Sequence, residues 1–226
     1  MGSIILLSGG LDSVVAAYAS RSQHAPELAL TFDYGQRAAA MELRAAQSVA
    51  AKLGVEHRLV ELAWLAEISG ASITDAAWDP ALDTDASVWV PARNAVFLSI
   101  AAAFAESMSC EAIVCGFNAE EAAEFADNSV EFVRRFNDAL ELGTRNAPKI
   151  VSPTLALTKV EIVRLGAELG APLHLVWSCY GAGPEQCGQC PSCKRLRAAL
   201  EPAGQWESFV ELSTSMRGQE TREDTH

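Results

Sequence analysis

Between Ser3 and Tyr18 the chain reads Ser-Ile-Ile-Leu-Leu-Ser-Gly-Gly-Leu-Asp-Ser-Val-Val-Ala-Ala-Tyr, and few architectures accommodate it. The apolar run at residues 4–7 predicts a strand buried on both faces. Ser8-Gly9-Gly10 ends that run, and apolar residues resume at helical spacing at Leu11, Val14, Val15 and Tyr18. Two glycines let the backbone turn sharply with no Cβ in the way. The turn leaves unpaired N–H groups at a helix N-terminus, where the dipole favours an anion. Ser8 and Ser13 add hydroxyls that reach phosphate oxygens. Asp12 suits the dipole but repels phosphate unless a Mg²⁺ ion or a backbone N–H stands between them. A magnesium nucleotide meets these demands together; a capped strand–turn–helix junction without ligand is the plain alternative. No Lys follows the glycines, so the Gly-x-x-x-x-Gly-Lys-Ser/Thr loop is absent.

In its Ser-Gly-Gly-Leu-Asp-Ser string the chain resembles the PP-loop ATP pyrophosphatases. The resemblance implies that Leu7, Ser8, Gly9, Gly10, Leu11, Asp12 and Ser13 hold the β,γ-pyrophosphate of ATP while the α-phosphate is attacked. AMP and pyrophosphate are then the products.

Strands are expected at residues 4–7, 28–32, 57–62, 111–116 and 149–153. Helices are expected at 38–53, 95–107, 130–142, 158–170 and 194–200. This alternation points to an α/β fold with a doubly wound, five-stranded parallel sheet and a small C-terminal zinc-binding segment. The length of 226 residues suits one such domain. The expected division is a nucleotide-binding domain at 1–175, a four-cysteine segment with its helix at 176–202, and an extension at 203–226 whose polar end, from about residue 216, is unstructured. Residues 64–89 lack periodicity and hold Asp75, Asp79, Asp83 and Asp85, which suggests a mobile lid or a dimer-contacting loop. The Asp spacing matches no calcium loop.

A net charge of −12 opposes a nucleic-acid partner, which calls for a basic face. No apolar run approaches the ~20 residues of a membrane span. The first strand starts almost at Met1, so no signal peptide and a cytoplasmic location are expected.

Polar clusters fall where the strands end, the edge at which open α/β sheets bind ligands. Tyr34, Gln36 and Arg37 follow the second strand. Arg93 and Asn94 open a helix, a position where the dipole disfavours a cation, so a phosphate or carboxylate contact is indicated for Arg93 beside the simpler reading of a surface residue. Phe117, Glu120 and Asp127 follow the fourth strand with carboxylates, amides and rings suited to a flat heterocycle. A capped helix with a polar loop, Asp127 or Asn128 being the cap, is the alternative there. Lys159 likewise stands in a first turn, behind a Thr158/Glu161 capping box, facing a phosphate or simply exposed.

Cys179, Cys187, Cys190 and Cys193 follow the spacing Cys-x7-Cys-x2-Cys-x2-Cys, with Gly188 and Pro191 for tight turns. Thiolates at this spacing can hold one tetrahedral ion, and four protein ligands leave no open position, so structural Zn²⁺ is favoured over an iron–sulfur cluster or a redox dithiol. Its expected role is to fix the following helix near the pocket mouth. Cys110 and Cys115 read as small buried residues.

Together with Tyr34-Gly-Gln-Arg37, Val90-Pro-Ala-Arg-Asn94, Gly116-Phe-Asn-Ala-Glu-Glu121 and Asp127-Asn-Ser129, these features are similar to the 7-cyano-7-deazaguanine synthase family over residues 4–200. The resemblance implies conversion of 7-carboxy-7-deazaguanine, ammonia and ATP into the nitrile preQ0, with zinc on the four cysteines, Mg²⁺ with the nucleotide, and a homodimer. The implied route is an acyl adenylate, an amide, then a second adenylation and loss of oxygen. Arg93 and Lys159 become catalytic candidates, and Tyr34, Gln36, Arg37, Asn94, Phe117, Glu120 and Asp127 substrate-binding ones. Ala92 stands where many relatives have Gly. A tRNA-modifying PP-loop ligase and a non-catalytic nucleotide-binding zinc protein are the rival readings.

Overall fold

Successive apolar residues of each strand separate to opposite faces, as the two-residue period of a strand requires. In the computed structural model, which describes residues 2–75, 79 and 86–223 (the side chains of Ala86 and of 215–223 excepted), the strands are β1 (Gly2–Leu6), β2 (Ala25–Asp33), β3 (Glu56–Glu61), β4 (Ala112–Val114) and β5 (Lys149–Val151). The helices are α1 (Leu11–Ser20), α2 (Ala39–Leu53), α3 (Trp64–Ser69), α4 (Arg93–Ser107), α5 (Ala119–Glu124), α6 (Val130–Gly143), α7 (Lys159–Glu168), α8 (Pro191–Leu200) and α9 (Trp206–Glu223). Ile5, Ala29 and Val114 pack in one core with residues of α1, α2, α7 and α8, and their neighbours Ile4, Leu28, Leu30 and Ile113 in a second core with α4 and α6.

All strand pairs are parallel and the order is β3-β2-β1-β4-β5. The chain winds outward from β1 to β3, then returns through α4 to start again on the other side of β1. That reversal opens a crevice between the carboxyl ends of β1 and β4. The expected doubly wound parallel sheet is thus the observed one.

Several local readings need revision. β4 stops at Val114 because the chain leaves the sheet to pass tightly over α1: a Cβ on Gly116 would stand 2.5 Å from the backbone of Asp12 and Ser13. Neither Asp127 nor Asn128 caps α6; both lie in a 3-10 turn, and Ser129 accepts the Phe132 N–H as the cap. α8 begins three residues early, at Pro191, whose fixed φ and missing N–H suit a first helical position. The stretch 64–89 holds α3 and 3-10 turns at Ser72–Thr74 and Ala86–Val88, while Asp83 and Asp85 lie outside the described residues. Helical backbone also continues to Glu223, through most of the tail expected to be unstructured; residues 224–226 lie outside the described residues. Among the described residues no helix is long and apolar enough to cross a membrane.

Candidate active site

α1 begins at the strand end with Gly10 as its cap and no side chain bonded to its first amides. Those amides are free to point at an anion in the crevice. Gly9 holds φ 78°, and a Cβ there would meet the Ala45 Cβ at 2.7 Å, so only glycine lets this loop lie against α2. Ser8 and Ser13 share a hydrogen bond of 3.1 Å, and the Trp177 N–H donates to the Gly9 carbonyl at 2.9 Å. The loop is therefore braced from both sides, and within it the Gly10 N–H donates to Ser8 Oγ at 3.3 Å.

Above it lies a cavity of about 500 Å³ lined by residues from both halves of the sheet. Leu7, Ser8, Gly10, Leu11, Asp12 and Ser13 form its floor. Lys159, at the first position of α7, reaches in and donates to Asp12 and, at 2.6 Å, to Glu121. Its side chain is only 12% exposed, so this is a buried ion triad and not a surface lysine. The capping box predicted for Thr158 and Glu161 is present and fixes where Lys159 starts. Burial opposes the Lys159 charge, but Asp12 and Glu121 hold its ammonium well above the usual lysine range. Burial pushes the Asp12 carboxyl up to about 6 despite Lys159 beside it. Among the described residues Asp12 Oδ1 is buried and accepts no hydrogen bond.

Across the cavity Arg93 donates to the Tyr34 hydroxyl at 3.2 Å. Burial pushes the Tyr34 phenol up to about 12, against the pull of Arg93, so it stays protonated. Asn94 Nδ2 donates to the Asp127 carbonyl at 3.4 Å, and Phe117, Glu120 and Asp127 complete that wall. Glu120 also accepts the Lys159 N–H at 2.7 Å. Two expected residues brace the site, and of these Gln36 also lines the cavity. Gln36 is buried and bonds the Tyr34 N–H, the Phe32 carbonyl and, at 2.8 Å, the Glu42 carboxylate. Arg37 does not line the cavity; it donates to the carbonyls of Ser72 and, at 2.6 Å, Asp75.

Glu42, Trp89, Tyr180 and Arg195 also face the cavity and were missed in the sequence, while Glu121 and Phe125 belong to the cluster read there but were not singled out. Trp89 stacks on Phe125 at 5.8 Å, joining segments 36 positions apart in the chain. Glu121 had one signal, its place three residues after Asn118, whose side chain caps α5 by accepting the Glu121 N–H. Tyr180 and Arg195 had only their nearness to the cysteines.

The ligand atoms of Cys179, Cys187, Cys190 and Cys193 lie within 4.8 Å of one another. Sulfurs about 2.3 Å from a central ion would stand about 3.8 Å apart, close to this arrangement. Backbone N–H groups of Gly181 and Cys187 point at Cys179 Sγ, each at 3.3 Å, and those of Gln189 and Cys190 at Cys187 Sγ. Amides converging on sulfur favour thiolates. The chemistry of this donor set fits a metal ion, and the cluster packs on Ala38, Ala45 and Trp177 beside the loop.

Residues 2–204 match the family described as queuosine biosynthesis protein QueC. The chain is 46% identical over 217 residues to the 7-cyano-7-deazaguanine synthase of Pelotomaculum thermopropionicum, covering 90% of this chain and 98% of that one. It is 43% identical over 214 residues to that of Methanothermobacter thermautotrophicus, covering 90% and 96%. Among solved structures, a 4-thiouridine synthetase in complex with RNA and bound ATP superposes with a TM-score of 0.51 at 20% identity, over 95% of this chain and 54% of that one. At that identity the likeness speaks for the fold.

Proposed function

The chain belongs to the QueC family of queuosine biosynthesis proteins, and on that premise we propose how its cavity makes 7-cyano-7-deazaguanine (preQ0) from 7-carboxy-7-deazaguanine, ammonia and ATP. It is an enzyme of preQ0 synthesis. The observation that carries the mechanistic reading is the convergence of Ser8, Gly10, Lys159 and Arg93 on one cavity.

The α1 amides bind the β,γ-phosphates of ATP, and the deazaguanine ring lies towards Phe117, Glu120 and Asp127. The substrate carboxylate attacks the α-phosphate; the bond to pyrophosphate breaks and an acyl adenylate forms. Ammonia then adds to the acyl carbon, AMP leaves with its electron pair, and the amide loses a proton. The amide oxygen attacks the α-phosphate of a second ATP and pyrophosphate leaves; loss of that oxygen as AMP, with two further protons, leaves the nitrile. Arg93 and Lys159 stabilise the charge that builds on the phosphoryl oxygens, and the walls hold the two reactants in line. Lys159 is kept charged and in place by Asp12 and Glu121.

Asp12, whose Oδ1 has no hydrogen-bond partner among the described residues, would hold a Mg²⁺ ion that would neutralise charge on the departing pyrophosphate. Zn²⁺ is the ion proposed for Cys179, Cys187, Cys190 and Cys193, where it would cross-link the start of α8 to the segment after Trp177. No glutaminase-like segment supplies ammonia within these residues, so we read it as arriving from solution. A homodimer in the cytoplasm, where thiols stay reduced, completes the proposal.

The test is incubation of the zinc-loaded protein with ATP, Mg²⁺, ammonium and 7-carboxy-7-deazaguanine, followed by mass spectrometry. Nitrile with two AMP per molecule is expected. AMP with the amide alone would remove the second activation, and no acid-dependent AMP would overturn the function.

A further inference from the structure

Two arginine–tyrosine pairs meet in the cavity, and only one belongs to the readings above. Arg93 donates to the Tyr34 hydroxyl at 3.2 Å, and Arg195 Nη2 donates to the Tyr180 hydroxyl at 3.0 Å. All four side chains line the same cavity. Tyr180 is close enough to Arg93 and to Tyr34 for each pair to feel the other's charge. A phenol that accepts from a guanidinium is polarised to donate its own proton. Among the described residues neither hydroxyl has an acceptor for that proton. Burial raises the Tyr34 phenol above the usual tyrosine range, so it remains a donor.

The second pair is built by the cysteine cluster. Tyr180 lies between Cys179 and Gly181, whose N–H is bonded to Cys179 Sγ. Arg195 follows Cys193 by two residues on α8, a helix capped by Cys190, and lies on the same helix face as the cavity-lining Ser192. Leu196 and Leu200 of the same helix are packed in the core, which fixes the rotation that turns Arg195 inward.

We propose that Tyr34–Arg93 and Tyr180–Arg195 form one oxyanion receptor facing the phosphate loop, and that the metal-bound cysteines set its Tyr180–Arg195 half in place. The ligand is a planar or tetrahedral oxyanion: the carboxylate of the deazaguanine acid or the α-phosphate of the nucleotide. This rests on the reaction proposed above, which must bring those two groups together beyond the reach of the α1 amides. The cluster then serves catalysis without its ion touching a reactant.

Calorimetric titration of the metal-loaded full chain tests this with three ligands: AMP, 7-carboxy-7-deazaguanine and inorganic pyrophosphate. Arg195→Ala is expected to weaken one of the first two by about tenfold or more, as loss of a charge-assisted hydrogen bond should. Tyr180→Phe should lose about fivefold, Arg195→Lys should recover part of the affinity, and pyrophosphate binding should stay within twofold. Loss confined to the acid assigns the carboxylate, and loss confined to AMP assigns the α-phosphate. Both affinities within twofold of wild type would overturn the receptor, as would an equal loss for pyrophosphate, which would mark a general distortion. Chelating the metal should reproduce the Arg195→Ala loss in wild type and add nothing to the variant; independent, additive effects would sink the link to the cysteines. Binding of these ligands does not require turnover, so a wild-type protein that makes no nitrile would fail the reaction and leave this result readable.

Discussion

Ala92 holds φ 55° and ψ 19°, a left-handed conformation immediately before Arg93. An L-residue there costs about 1–2 kcal/mol, and glycine gives back part of that advantage through its greater freedom in the unfolded chain, about 0.5–1 kcal/mol. Ala92→Gly should therefore stabilise by about 0.5 kcal/mol and raise Tm by about 1–2 °C in scanning calorimetry; a lower Tm would refute the strain. Asp12 yields a second expectation. Its carboxyl titrates near 6 instead of near 4 because it is buried, and only the ionised form attracts Mg²⁺. As pH falls below about 6, the contribution of Mg²⁺ to ATP affinity should weaken by about tenfold per unit, whereas metal-free ATP binding should not follow this curve. A Mg²⁺ dependence unchanged between pH 7.5 and 5 would exclude Asp12 as the ligand.

Among the elements, α7 shows how a cap becomes a catalytic tool. Thr158 and Glu161 close a reciprocal box at its start, and the next residue is Lys159 with its two carboxylate partners. Thr158→Ala should cost about 1 kcal/mol in urea unfolding and lower kcat more than the KM for ATP, because the lysine, not the phosphate loop, loses its anchor. Stability unchanged by the substitution would show that packing alone sets the helix start. α8 is the counterpart on the other side of the loop. Its cap is Cys190, and its buried face joins the core of α1 and α7.

For the molecule as a whole, that sharing makes the cysteine segment part of the main core, so the metal should stabilise the whole fold without being required for it. Chelation should lower Tm by about 5 °C or more, in one transition, as removal of a ligand bound only by the folded state does; an unchanged Tm would mean that the cluster is dispensable. The five strands, helices α1, α2, α4, α6, α7 and α8, the capping box and the cysteine spacing were legible in the sequence, whereas α3, α5 and the extent of α9 were not. Each is set by groups close together in the chain, through apolar period, turn geometry and ligand spacing. The parallel sheet followed from their alternation. Arg37 against the Ser72–Asp75 turn, Lys159 between Asp12 and Glu121, and Arg195 beside Tyr180 were not legible. Those meetings depend on the β3-β2-β1-β4-β5 order and on the rotation of each packed helix. Local sequence specified which groups could do the chemistry, whereas burial of the two cores chose which of them face one another.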